Sequence, residues 1–172
     1  MSPIADHQEV VNAISSAFLA VSRVEGVSLH EAEVIDDRGS DDERSTSRLL
    51  DTDTKWEEVP DSDIENHITT LNFVDPIGFR YYLAAYMVWA LRHCDTSDSL
   101  STNHTIYSLC LPADERQRAW KLEQFSLLNN EQSFAVLQFL RYFAKHTNGV
   151  SDDGAAQQAI SDYWERYANV EG

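Results

Sequence analysis

The sequence predicts an all-α protein: a single compact domain of about seven helices around a central apolar helix over about residues 76–93. Apolar residues recur at helical spacing in most segments, and only the short stretch 106–111 is open to interpretation as strand-like alternation. A chain of 172 residues, 42% of them hydrophobic, can bury roughly 70% of its unfolded surface in one core. We therefore predict one helical domain over residues 1–172.

The N-terminal third contains three helix signals. The first is an amphipathic pattern over about residues 4–21, whose apolar face consists of Val10, Ile14, Ala17, Phe18 and Val21. Two capping boxes follow, at Ser28–Glu31 and Ser40–Glu43, where a serine and a glutamate three residues later satisfy each other's free backbone amides. A short helix should therefore begin at Leu29, and Asp41 should lie in the first turn of another.

Two prolines indicate where helices begin within residues 60–93. Pro60 is placed for the first turn of a helix whose apolar face contains Ile64, Ile68 and Leu71. Asp75-Pro76 opens the next helix, in which Arg80 is the single charged residue before Leu91. Because a helix that is apolar almost all round is a buried helix, this one is predicted to be the centre of the fold.

The C-terminal half is predicted as one loop and three helices. Residues 95–105 are polar and turn-rich, which indicates a loop. Pro112 precedes a helix through about Leu128, with an apolar face around Ala119, Leu122 and Phe125. Asn129 or Asn130 caps the next helix, which Asn148-Gly149 ends. The last helix is marked by Ala156, Ile160, Tyr163, Trp164 and Tyr167.

Negative charge is concentrated in residues 31–65, which we call the acidic segment. It contains fourteen acids and four bases, and so carries −10 of the chain's formal charge of −16. Such a field repels nucleic acid and acidic membranes, and it attracts metal cations and basic proteins. Its interleaved apolar residues indicate a segment folded against the core. Because the N-terminus lacks the basic region of a signal peptide, we expect a cytoplasmic protein.

A metal site is one hypothesis for the acidic segment. On a helix from Leu29, the side chains of His30, Glu33 and Asp37 fall at i, i+3 and i+7, which places an imidazole and two carboxylates on one stripe. Such a trio can ligate a divalent ion or transfer a proton. The alternative is a solvated helix edge, and no standard zinc or calcium motif is present.

Arg80 is the second candidate, because a guanidinium in a largely buried helix needs carboxylates or carbonyls to accept its hydrogen bonds. We expect it to dock the acidic segment onto the central helix or, alternatively, to bind the carboxylate or phosphate of a ligand. The predicted carboxylate partners of Arg80 are Asp36, Asp37, Asp41 and Asp42.

An aromatic stripe on the same helix is the third candidate. Its members, at spacings of three, four and three, are Phe79, Tyr82, Tyr86 and Trp89. Such a stripe can be core, or Tyr82 and Tyr86 can hold the polar groups of a flat ligand at a cleft edge. The sequence contains no nucleophile elbow and no phosphate-binding loop, and it identifies no catalytic residue.

Two blocks, GVSLHEAEVIDDRGSDDER and FVDPIGFRYYLAAYMVWAL, resemble a family of small bacterial proteins of unknown function. The resemblance includes Trp56–Pro60 and the block Gly78–Met87, and it covers about residues 17–91 clearly and the C-terminal helices loosely. Ala84 stands where the family usually has proline, which removes the kink that a proline would cause. The resemblance implies no activity, and it marks the blocks around His30 and Arg80 as recurring parts of the family.

Two classes of function follow from these features. The first is an acidic cytoplasmic protein-binding module, such as an immunity or inhibitor protein that covers a basic surface of its partner. The second is a metal- or small-ligand-binding protein or enzyme that uses the acidic segment with Arg80 and the aromatic helix. Nucleic-acid mimicry is a further reading, since carboxylates at phosphate-like spacing can occupy a basic groove. The sequence requires no cofactor, although a divalent metal is compatible with it.

Overall fold

The computed structural model describes residues 6–146 and 153–170, and within these ranges the protein is all-α, as predicted. The described residues form ten α-helices and two short 3₁₀ helices, with no β-strand. The α-helices are α1 (His7–Ala17), α2 (Leu29–Asp36), α3 (Asp41–Arg48), α4 (Asp61–Asn66), α5 (Thr70–Phe73), α6 (Pro76–His93), α7 (Ser101–Ser108), α8 (Glu115–Ser126), α9 (Asn130–Lys145) and α10 (Asp153–Asp162). The 3₁₀ helices are Trp56–Glu58 and Trp164–Tyr167. Among the described helices, none is long and apolar enough to cross a membrane.

Helix α6 is the centre of the fold, as the sequence predicts. Asp75 caps it by accepting a hydrogen bond from the Gly78 N–H at 2.9 Å, and thirteen of its eighteen residues are buried. Helices α1, α7 and α8 pack against it. It runs without interruption through Ala84.

The outer helices close the same hydrophobic core. Helix α9 packs against α1 and α10, and it begins with a capping box between Asn129 and Gln132. The Trp164 indole is fully buried and donates a hydrogen bond to the Leu109 carbonyl at 2.9 Å. One cluster of buried apolar residues therefore extends from α1 to the last 3₁₀ helix. The predicted stop at Asn148-Gly149 lies outside the described residues.

The prediction of one continuous helix through Ile64, Ile68 and Leu71 is wrong, because the structure has two short helices there. Pro60 is the N-cap of α4, which ends at Asn66, and α5 begins at Thr70. His67 between them is not helical, with φ −109° and ψ 64°. Its carbonyl accepts hydrogen bonds from the hydroxyls of Tyr86, at 2.5 Å, and Thr70, at 3.0 Å. These contacts explain the break, because they occupy the carbonyl that a continuous helix would use.

Two C-terminal predictions also need correction. The loop predicted over 95–105 is shorter, because α7 begins at Ser101. Residues 106–111, which were open to interpretation as a strand, lie in α7 and directly after it. Helix α8 buries Lys121, Gln124 and Phe125, whereas the predicted face residues Ala119 and Leu122 are exposed.

The polar face of α8 is buried because Gln124 supplies hydrogen bonds that the core needs. Its side-chain amide donates to the carbonyls of Leu71, at 3.0 Å, and Val74, at 2.8 Å. These carbonyls belong to α5 and the residue after it, where a short helix leaves acceptors unsatisfied.

The chain before α2 passes very close to the first turn of α6. Asp75 Oδ1 accepts hydrogen bonds from both the Val27 and the Gly78 amides, at 2.8 and 2.9 Å. A Cβ atom on Gly78 would overlap with the Val27 carbonyl oxygen, so only glycine permits this approach. The start of the acidic segment is thereby fixed to the central helix.

Candidate functional site

Glu31 holds the first half of the acidic segment together. Its carboxylate accepts hydrogen bonds from Arg44 and Arg48, each at 2.9 Å, and from the Ser28 amide at 3.1 Å. Burial alone would raise the pKa of Glu31, but these hydrogen bonds outweigh it and the pKa lies below its ordinary value. Arg48 also donates to the carbonyls of Val24 and Gly26, before the segment. The two arginines therefore hold α3 against α2 and against the chain that precedes it.

Arg23 anchors the second half of the segment. Its guanidinium donates to the carbonyls of Asp51 and Asp53, at 3.1 and 3.3 Å, and lies 3.7 Å from the Asp53 carboxylate. The hydroxyl of Tyr81 in α6 donates to the same carboxylate at 2.6 Å. Burial, followed by this contact with Asp53, raises the pKa of Tyr81 above its ordinary value. The loop after α3 is therefore held to α6 by the Tyr81 hydrogen bond and to the chain between α1 and α2 by Arg23.

The predicted role of Arg80 in docking is wrong. Among the described residues it forms no ion pair with its predicted partners, and its half-buried side chain leaves Nε without a hydrogen-bond partner. Arg23, from the turn after α1, performs the docking instead. The predicted partners Asp36, Asp37, Asp41 and Asp42 all remain exposed.

The aromatic stripe of α6 is core rather than the wall of a ligand pocket. Phe79, Tyr82 and Tyr86 are completely buried, and Trp89 is 2% exposed. The hydroxyl of Tyr82 accepts a hydrogen bond from the Leu29 amide at 3.0 Å, and that of Tyr86 donates to His67. Burial raises the pKa of both tyrosines above the ordinary value, so their phenols stay neutral. The hydroxyls that were predicted to hold the polar groups of a ligand bond here to backbone groups of Leu29 and His67, which flank the acidic segment on its two sides.

Most carboxylates of the acidic segment point into solvent after this docking. Of its fourteen acids, Glu31 is buried, three are half-buried and ten are exposed. The exposed ten, which we call the acidic surface, are Glu33, Asp36, Asp37, Asp41, Asp42, Glu43, Glu57, Glu58, Asp61 and Glu65. Only Arg38 and Lys55 are exposed bases in the segment. The solvent-facing part of the segment thus has a formal charge of −8.

Apolar side chains interrupt this negative region. Leu49 and Leu50, directly after α3, are 78% and 64% exposed, and Val24 is 70% exposed. Val24 and Leu49 line the same shallow depression, together with Arg23 and Asp53. We call Val24, Leu49 and Leu50 the apolar spot. It combines exposed hydrocarbon with adjacent charge, a pattern typical of interaction surfaces.

A second cluster forms around His30, and it differs from the predicted stripe. His30, Asp63 and His67 each offer a ligand atom, and these atoms lie within 4.8 Å of one another. The imidazoles of His30 and His67 meet edge to face, with ring centroids 4.7 Å apart. Glu33, a member of the predicted stripe, is not part of this group, but its carboxylate lies 3.5 Å from His67 Nδ1. Asp37 does not join this group and instead lines a separate depression with Asp42.

The Asp51 carboxylate holds His30 of this cluster in position. Its carboxylate, 3% exposed, accepts a hydrogen bond from the His30 amide at 3.0 Å and contacts His30 Nδ1 at 2.7 Å. The Asp51 carbonyl is in turn held by Arg23. This arrangement fixes the orientation of the imidazole, and it directs Nε2 away from the carboxylate.

The sequence missed Asp51, Asp63 and His67 for one reason: none of them is near His30 along the chain. Asp63 and His67 were assigned to a continuous helix, and no local pattern indicated that it would break at His67 and meet α2. Tyr86, whose hydroxyl holds the His67 carbonyl, was the available signal, because a buried tyrosine requires a partner.

The comparison of the chain with protein families finds a match over most of its length. The model described as "Family of unknown function (DUF6714)" matches residues 6–168. No curated protein and no solved structure matches the chain. The matched range includes the His30 cluster, the acidic surface and all ten α-helices of the described residues.

Proposed function

The chain belongs to the family of unknown function (DUF6714), and we propose that it is a protein-binding module that presents its acidic surface to a basic protein partner. An immunity or inhibitor protein that covers the basic active site of a toxin or nuclease is the kind of protein we infer. The observation that carries this proposal is that ten of fourteen acids of the segment stay exposed although the segment itself is firmly docked.

The rigidity of the docking supports this proposal. An acidic tail without fixed structure would lose conformational entropy on binding. Here Glu31 and Arg23 are used internally, so the backbone of the segment is already fixed. The exposed carboxylates therefore meet a partner in a preorganised pattern, which reduces the entropic cost of association.

Charge and hydrocarbon have different roles in such a complex. Complementary charge speeds the encounter and selects basic partners over acidic ones, and this effect weakens with salt. Burial of the apolar spot contributes affinity that is less sensitive to salt, on the order of 1.5–3 kcal/mol for each fully buried side chain. Both features lie on the acidic segment or directly beside it.

The proposal is tested with two variants of equal charge change. The first replaces Asp36, Asp37, Asp41 and Asp42 by asparagine, and the control replaces the exposed acids Asp98, Glu123, Glu131 and Asp162 by their amides. Binding is measured by surface plasmon resonance against a panel of purified basic proteins that includes nucleases with basic active-site clefts. We expect the first variant to lose at least about tenfold in affinity for a bound nuclease, mainly through a slower association rate, and the control to change little.

A third variant tests the apolar spot. Leu49→Ser with Leu50→Ser should raise the dissociation rate without lowering the stability of the fold, because both side chains are already exposed. Raising NaCl from about 50 to about 300 mM should weaken binding by the wild type more than by the first variant. Failure of the whole panel to bind, or equal losses in the first variant and its control, would contradict the proposal.

A further inference from the structure

We propose that His30, Asp63 and His67 form a binding site for a divalent transition-metal ion. The three residues come from α2, from α4 and from the turn between α4 and α5. Their ligand atoms already lie within 4.8 Å of one another, and all three side chains are half-buried. The proposal is independent of the acidic surface, because none of the three residues belongs to its ten exposed acids.

The ligand atoms of His30, Asp63 and His67 lie close to the spacing that a metal ion requires. Around a tetrahedral zinc ion with ligands at about 2.0–2.2 Å, any two ligand atoms lie roughly 3.3–3.6 Å apart. The present limit of 4.8 Å requires an inward movement of about one ångström, which rotation about side-chain bonds can supply.

The carboxylate of Asp51 contacts His30 in the way that is usual for a histidine that binds a metal ion. Histidine ligands of metal ions commonly donate their other ring N–H to a carboxylate, which fixes the tautomer and raises the basicity of the ligating nitrogen. Asp51 is placed for this role, 2.7 Å from His30 Nδ1 and almost completely buried. It leaves Nε2 of His30 for the ion. This contact is separate from the convergence of the three ligand atoms.

The ligand set selects the class of ion. Two imidazoles and one carboxylate suit Zn²⁺, Co²⁺ or Ni²⁺, whereas Ca²⁺ and Mg²⁺ prefer six or more oxygen ligands, including waters. Glu33, 56% exposed and 3.5 Å from His67 Nδ1, provides a second carboxylate at the rim. Water can complete four-coordination. The negative field of the segment further favours cation binding.

A bound ion would cross-link two parts of the chain. His30 lies one residue from Glu31, the residue that clamps α2 to α3, and His67 lies at the break between α4 and α5. The ion would therefore join α2 to the α4–α5 turn, in addition to the Tyr86 hydrogen bond that already holds His67. Metal binding should raise thermal stability as well as produce a spectroscopic signal.

The experiment uses the full chain without a histidine tag, at about pH 7.5, where ordinary imidazoles are mostly neutral. Co²⁺ binding is followed by its visible absorption and Zn²⁺ binding by calorimetry, and the unfolding temperature is measured with and without Zn²⁺. We expect one ion per chain, a higher unfolding temperature with Zn²⁺, and no such effect with Mg²⁺ or Ca²⁺. Absence of Co²⁺ and Zn²⁺ binding, or equal binding of Mg²⁺, would overturn the proposal.

Variants locate the site. His67→Gln and Asp63→Asn should each lower Zn²⁺ affinity by more than Asp51→Asn, which removes only the carboxylate that orients His30 and for which a loss of about 10- to 100-fold is expected. The matched control is His93→Gln, since His93 also contacts a carboxylate, that of Asp61 at 3.2 Å, but belongs to no metal-ligand group of the described residues. Circular dichroism verifies that each variant is folded. Unchanged affinity in His67→Gln, or an equal loss in His93→Gln, would overturn the assignment.

Discussion

Replacing Lys121 by methionine should stabilise the protein. The Lys121 side chain lies on the buried face of α8 and is 5% exposed. Its ammonium lies 5.3 Å from the centre of the Phe79 ring, and among the described residues it has no hydrogen-bond partner. Burial lowers the pKa of Lys121 from 10.5 to about 8. A methionine of similar length would fill the same space without a charge.

The expected gain in the free energy of unfolding follows from the lowered pKa of Lys121. At about 1.4 kcal/mol per pKa unit, a fall in the pKa from 10.5 to about 8 means that burying the charged lysine lowers the free energy of unfolding by roughly 3 kcal/mol. Loss of the contact with Phe79 removes about 0.5–2 kcal/mol of attraction. We therefore expect Lys121→Met to raise the free energy of unfolding by about 1–3 kcal/mol at pH 7.

The stabilisation by Lys121→Met should decrease as pH rises. The unfolded chain binds the Lys121 proton more tightly than the folded chain, so the full cost is present below about pH 8 and disappears as pH rises towards 10.5. The stability difference between variant and wild type should therefore shrink by roughly 2 kcal/mol between pH 7 and pH 10.

Urea unfolding followed by circular dichroism, at these two pH values, measures the difference. Lys145→Met, in the exposed last turn of α9, serves as the control and should stay within about 0.5 kcal/mol of the wild type. A Lys121→Met variant that is less stable than the wild type at pH 7, or a difference that is the same at both pH values, would refute the reasoning.

Three further substitutions test the contacts that position the acidic segment and the core, all by urea unfolding. Glu31→Gln should cost about 1–3 kcal/mol at neutral pH. Because the pKa of Glu31 lies below its ordinary value, this loss should fade as pH falls through that pKa, and a loss that persists in strong acid would argue against the ionic clamp. Gln124→Leu leaves two backbone carbonyls near α5 without donors and should cost about 1–3 kcal/mol, whereas an unchanged stability would show that water replaces the amide. Gly78→Ala should destabilise by about 1–3 kcal/mol although alanine is the better helix former, and a gain in stability would contradict the close approach of Val27 to α6.

Features set by neighbours a few residues apart were predicted correctly from the sequence. The starts of α6 after Asp75, of α2 at Leu29 and of α3 after Ser40 all follow from caps that join residues three apart. The Asn129 cap of α9 belongs to the same class. The all-α class follows from the 3.6-residue period of apolar side chains, which is equally local.

Features that depend on distant segments were not predictable in the same way. The burial of Gln124 is decided by the carbonyls of Leu71 and Val74 in and after α5, about fifty residues away. The docking arginine is Arg23 rather than Arg80, because Arg23 reaches the loop after α3. No periodicity within one helix reports such pairings, since they arise only when separate elements pack.

The sequence by itself therefore determined an all-α fold around α6 and a dense negative charge over residues 31–65. It also predicted His30 and Glu33 on one stripe of α2 as candidate metal ligands. Only the tertiary structure decided which acids remain in solvent and which residues join His30. The physical reason is that exposure and convergence are properties of packed elements: the hydrogen bonds of Arg23 and Tyr86 place their partners against α2 and α6.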